Sequence, residues 1–285
     1  MQLRYPQTWL TIHNGFEDKW HSLQASKITS NVVVLAFLVG VGITVLDHYG
    51  LVNYAVGRFY AIELAFSVLL ITEIIGLIFT LSHSVADSMG KQFEIVSLIL
   101  LRNSFKEMGH LPLETAWDAS TLLALLPILT DAVGAVMVFL IIGLFYRAQR
   151  HTQITSNAEE QLNFVMLKKF VASVMLLTFI CIGIYSLVDF FRTGQYHELF
   201  HLYYTILIFV DILILIISLR YSNLYVHLFR YSSFALATVI IRLSLSAPKY
   251  YNVLLSVAAG LFVLLVANVY NMLNRATAAT SPPAA

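Results

Sequence analysis

The 285-residue chain is 59% apolar and carries 12% Asp, Glu, Lys and Arg, against roughly 25% charged residues in ordinary soluble domains. Its mean hydropathy is +0.78, and a net charge of +1 offers nothing for nucleic acid to bind. A soluble enzyme is thereby excluded, and the composition describes an all-α, polytopic transmembrane helical bundle.

At the N-terminal end, Trp9, Ile12, Phe16, Trp20 and Leu23 recur at three- and four-residue spacing. That stripe predicts an interfacial amphipathic segment over residues 1–27, with a break at Asn14-Gly15. A spanning helix takes roughly 20 apolar residues. On that criterion eight spans are predicted, at about 29–49, 58–82, 92–109, 119–146, 170–191, 199–219, 231–247 and 250–273. The third and seventh are short and carry more polar groups. The polar stretch 151–169 reads as a cytoplasmic linker between a first four-helix repeat (28–150) and a second (170–275), and 276–285 as a disordered tail. With the N-terminus in the cytoplasm, 11 Lys and Arg fall inside and 4 outside, leaving Arg102 and Arg242 within spans. The positive-inside rule then places both termini in the cytoplasm.

The halves align with each other. A shift of 138 positions lays Glu73 on Asp211, and a shift of 140 lays Arg102 on Arg242 and Ser104 on Ser244. Aliphatic identities are cheap in membrane sequence, but an acid on an acid and an arginine on an arginine carry weight. Two tandem parallel four-helix repeats follow, parallel because each has an even number of spans. Taking Lys91 and His83 as helix ends puts Arg102 about 16 Å and Glu73 about 15 Å deep, at 1.5 Å per residue. The expectation is two buried ion pairs, Glu73–Arg102 and Asp211–Arg242, since a lone charge at the bilayer centre costs at least about 2.5–3.5 kcal/mol.

Further acids remain. Asp131 sits mid-span in the fourth helix, four residues after Pro127. Glu63 and Asp189 lie towards the outer face and Glu94 towards the inner. With no base left at its depth, Asp131 must be protonated, hydrogen-bonded or facing water, which makes it the sharpest candidate for an ion pathway.

Other chemistries find less support. His197 and His201 stand one helical turn apart, a spacing that suits a metal, but no third ligand is evident and interfacial histidines are the plainer reading. The single cysteine, Cys181, forms no intrachain disulfide. No haem-ligand pair, nucleophile elbow, zinc-protease motif or phosphate loop occurs, so no enzyme and no cofactor are expected.

The runs Val226-His-Leu-Phe-Arg230-Tyr231, Ala237-Thr-Val-Ile-Ile-Arg242 and Ser246-Ala-Pro-Lys-Tyr-Tyr-Asn252 resemble the phosphate-starvation-inducible PsiE family of small bacterial membrane proteins. The resemblance covers residues 170–273, with Asp211, Arg230-Tyr231 and Arg242 matching the family's acid, Arg-Tyr and Arg. In the first half, Glu73 and Arg102 keep their places while Lys91-Gln-Phe93 replaces Arg-Tyr. The resemblance implies a multi-pass protein of the bacterial plasma (inner) membrane and a link to phosphate stress, but no molecular activity.

Two functions compete. The first is a small ion channel or proton-coupled transporter in which Asp131 and the two pairs line or gate a path. The second is a non-transporting scaffold or stress-response subunit, whose buried pairs only hold helices together. The lipid bilayer is the expected partner, while a homo-oligomer, a membrane partner subunit and a small ion stay open.

Overall fold

The computed structural model describes residues 7–50, 59–83, 85–109, 118–149, 158–193, 199–219 and 225–280. Within them lie nine helices and no strand. They are α1 (Gln7–Trp20), α2 (Leu23–His48), α3 (Tyr60–His83), α4 (Val85–Gly109), α5 (Ala119–Ala148), α6 (Ala158–Thr193), α7 (Leu199–Leu219), α8 (Tyr225–Ser246) and α9 (Tyr251–Thr280). Six of them contain segments long and apolar enough to cross a bilayer: Leu23–His48, Tyr60–Leu81, Thr121–Ala148, Leu162–Ser186, Tyr225–Ser246 and Tyr251–Leu273. The chain is an integral, multi-pass membrane protein.

Local sequence sets several ends. Ser22 caps α2, its hydroxyl accepting from the Ala25 amide at 3.2 Å. Asp118 caps α5, accepting from the Thr121 amide at 2.9 Å. Both satisfy backbone donors that a helix start leaves unpaired. Some bounds differ from the sequence reading. Helix α1 runs unbroken through Asn14-Gly15, α6 already begins at Ala158 within the expected linker, and α9 continues through the expected tail to Thr280.

Each of α2 to α5 packs on the next, as does each of α6 to α9, and the two runs meet through α3–α6, α4–α8 and α5–α9. Helices α5 and α9 run parallel: Asp131 meets Asn252, Gly260 approaches Ile141, and Asn271 meets Ala148. The bundle therefore has a near end, carrying α1 and the junction of α3 with α4, and a far end, carrying the α8–α9 turn.

Helix α4 is central, touching α3, α5, α8 and α9. It is not among the six apolar spans, and its residues 91–105 are buried or half-buried. Helix α2 is the opposite case, with only Gly40 buried. A side chain at Gly40 would lie 2.6 Å from the Ala61 Cα, so glycine there lets α2 lie directly on α3. Helix α1 docks through His13 and Glu17, both 6% exposed, against Phe79 and Lys169, and leaves Phe16 62% exposed. Among its described residues, Thr11, Asn14, Asp18 and Lys19 are exposed together with Phe16, so the outward side of α1 is mixed rather than purely apolar.

Candidate functional site: polar groups along the central helix

Helix α4 carries charged groups on either side of an apolar belt. At the near end, Lys91 Nζ lies 2.5 Å from Glu73 Oε2 on α3 and 2.8 Å from Glu94 Oε2 one turn on. The Tyr146 hydroxyl of α5 donates to Glu94 Oε1 at 2.8 Å. Two carboxylates therefore share one ammonium and one phenol. Gly90 makes room for Tyr146, whose ring would lie 2.5 Å from a Cβ built there.

The belt consists of Ile95, Val96 and Leu100 of α4 with Leu70, Ile74, Val138 and Ile241, none more than 4% exposed. Beyond it, Arg102 Nη2 lies 3.0 Å from Glu63 Oε1, while Arg102 Nε is buried with no partner. The Ser104 hydroxyl donates to the Ile128 carbonyl at 3.1 Å. Pro127 precedes Ile128 within α5 and supplies no backbone donor of its own. Asp131, 5% exposed, accepts from Asn252 Nδ2 at 2.9 Å, and Asn252 Oδ1 is buried without a partner among the described residues. The Ser256 hydroxyl reaches that of Ser244 at 3.0 Å. At the mouth, Lys249 Nζ meets Glu107 Oε2 at 2.6 Å, and that hydrogen bond holds the Lys249 ammonium above its ordinary range.

The expected Glu73–Arg102 pair does not form, and the reason is where α4 begins. Its first residue is Val85, so Lys91 is not a helix end but lies six residues, about 9 Å, inside. Counted from Val85, Arg102 is about 26 Å along α4. Counted back from His83, Glu73 is about 15 Å and Glu63 about 30 Å along α3. Arg102 therefore meets Glu63, and Glu73 takes Lys91. Asp131 keeps its place, about 18 Å along α5 from Ala119, and the first turn of α9 reaches it through Asn252.

The side chain of Asp211 lies outside the described residues, so the Asp211–Arg242 pair does too. Arg242 lines a narrow cleft between α4, α7 and α8 with Gln92, Thr238, Val96, Leu207 and Ile241. Asp189 is half-buried on α6. His197 and the His201 side chain lie outside the described residues, and among these residues no three metal-ligand side chains cluster.

Sequence reasoning missed Lys91, Tyr146 and Asn252 as site residues. Lys91 was legible through its three-residue spacing from Glu94, which puts both on one helix face. Tyr146 and Asn252 carried no comparable signal, because their roles arise from helix neighbours distant in sequence.

No protein-family model, curated protein or solved structure matches this chain.

Proposed function

We propose that this chain is a small proton-coupled transporter or ion channel whose route follows α4. One observation carries the reading. The helix that touches four others is also the one with charged groups on both sides of its apolar belt, where intramembrane ionisable residues ordinarily mark ion pathways. The near-end cluster has an excess of acid, with Glu73 and Glu94 sharing Lys91. Asp131 has a neutral amide as its hydrogen-bond partner, so it can gain or lose a proton without breaking an ion pair. The belt of Ile95, Val96 and Leu100 separates the clusters and serves as the closed gate.

The test is proton flux into proteoliposomes, comparing wild type with Asp131→Asn. The variant is expected to keep its fold and lose most of the flux.

A scaffold or stress-response subunit, the role that the PsiE resemblance suggests, is the second reading. It is favoured by the partnering of Glu63 with Arg102 and of both glutamates with Lys91, since such pairs also fix helix rotation.

A further inference from the structure

A second polar site lies apart from these clusters, at the near end of the ring formed by α4, α5, α9 and α8. There a narrow, open-sided cleft is lined by Ala86, Gln149, Arg230, Phe234, Tyr270 and Asn271 among others. Among the described residues of its lining, Arg230 is the one charged side chain. Its guanidinium carbon stacks 4.4 Å from the Tyr270 ring centre and 5.5 Å from that of Phe234. The Tyr270 hydroxyl is tied to His227 Nδ1 at 3.0 Å, which fixes the ring beneath the guanidinium.

Among the described residues no carboxylate lies within ion-pair distance of Arg230, and none accepts a hydrogen bond from it. Asp87 on α4 accepts from Nε2 of Gln149, a lining residue. Stacking occupies the faces of a guanidinium and leaves its five N–H groups, which lie in its plane, free for an acceptor. Oxyanions with two adjacent oxygens fit that edge in bidentate fashion.

Depth and surroundings name the source of the oxyanion. The apolar segment of α5 ends at Ala148 and that of α9 at Leu273, so the cleft at 148–149 and 270–271 lies where hydrocarbon gives way to headgroups. Phe229, Met272 and Leu273 beside it are 50%, 70% and 47% exposed and apolar, a surface for acyl chains. We propose that this cleft binds the phosphate oxyanion of an anionic phospholipid, with Arg230 as its bidentate donor. Basic pockets between spanning helices at this depth suit such headgroups. A free phosphate ion offers the same oxygens without the acyl chains, and competition separates the two sources.

The experiment titrates purified full-length protein with phosphatidylglycerol or phosphatidylcholine and counts bound lipid by native mass spectrometry, with and without inorganic phosphate. Phosphatidylglycerol is expected to bind about fivefold tighter than phosphatidylcholine, the equivalent of ~1 kcal/mol for one arginine near an anionic surface. Arg230→Gln should abolish that preference, Arg230→Lys should reduce it while keeping charge and fold, and Arg147→Gln, at an exposed arginine of the same end, should leave it intact. Inorganic phosphate should not displace the lipid. Retention of the full preference by both Arg230 variants would overturn the site, as would its equal loss in Arg147→Gln. Displacement of lipid by inorganic phosphate at matched concentration would assign the cleft to a free anion instead.

Discussion

Asn252 donates its side-chain N–H to Asp131 across the α5–α9 contact at 2.9 Å, and its own carbonyl oxygen is left buried with no partner among the described residues. An ionised Asp131 uses only the first of these groups. A protonated Asp131 can also donate to Asn252 Oδ1, closing an acid–amide pair with two hydrogen bonds. Asn252 thus serves both charge states of the acid, which is what a group that picks up and releases a proton needs from its neighbour.

Replacing Asp131 by Asn preserves an amide–amide version of the contact, so stability should change by less than about 1 kcal/mol. Asn252→Leu removes the partner and leaves Asp131 stranded in a buried position, which should cost about 1–3 kcal/mol. Reversible unfolding in mixed detergent micelles measures both. Equal losses for the two variants would mean that Asp131 depends on something other than Asn252.

The pairing of Arg102 can be read from a double-mutant cycle. Arg102→Met with Glu63→Gln should show a coupling of about 0.5–3 kcal/mol. The corresponding cycle with Glu73→Gln should be additive within about 0.5 kcal/mol, because Glu73 belongs to Lys91. A larger coupling to Glu73 than to Glu63 would reverse the assignment.

Lys91 holds two glutamates, so its loss should exceed that of either one. Lys91→Met strands both Glu73 and Glu94, which are a quarter to a third exposed, and should destabilise by about 1–3 kcal/mol. Glu94→Gln leaves the Glu73–Lys91 pair intact and keeps an acceptor for Tyr146, so it should cost under about 1.5 kcal/mol. The same unfolding assay ranks the two.

Two glycines make opposite predictions. A methyl group at Gly40 would meet the Ala61 Cα, a backbone atom, at 2.6 Å, so Gly40→Ala should destabilise by about 1–3 kcal/mol through overpacking between α2 and α3. A methyl group at Gly42 meets nothing within 4 Å. Gly42→Ala should therefore be neutral or stabilise α2 by up to ~1 kcal/mol, the intrinsic cost of glycine in a helix.

The sequence made the helical class plain because twenty-residue apolar runs have few other uses, and the spans of α2, α5 and α9 follow from that length alone. The membrane criterion served α4 least well. Its first turns, Val85-Ala-Asp-Ser-Met-Gly, look like a loop by hydropathy, yet they form helix because α5 and α8 surround them. That one boundary misplaced the Arg102 pair, since depth was counted from the wrong residue. The importance of Asp131 was legible because it is an acid in an apolar run with no base nearby. Its partner was not, because Asn252 lies 121 residues away and meets it only through the parallel packing of α5 and α9.

The most direct test of the α4 route is ion flux through wild-type protein reconstituted in liposomes, under separately imposed proton, potassium, sodium and chloride gradients. We predict internal pH change driven by the proton gradient, abolished by Asp131→Asn and reduced by Glu94→Gln. Silence under all four gradients, from protein with native helicity and a single symmetric gel-filtration peak, would contradict the route and leave the paired charges as helix staples.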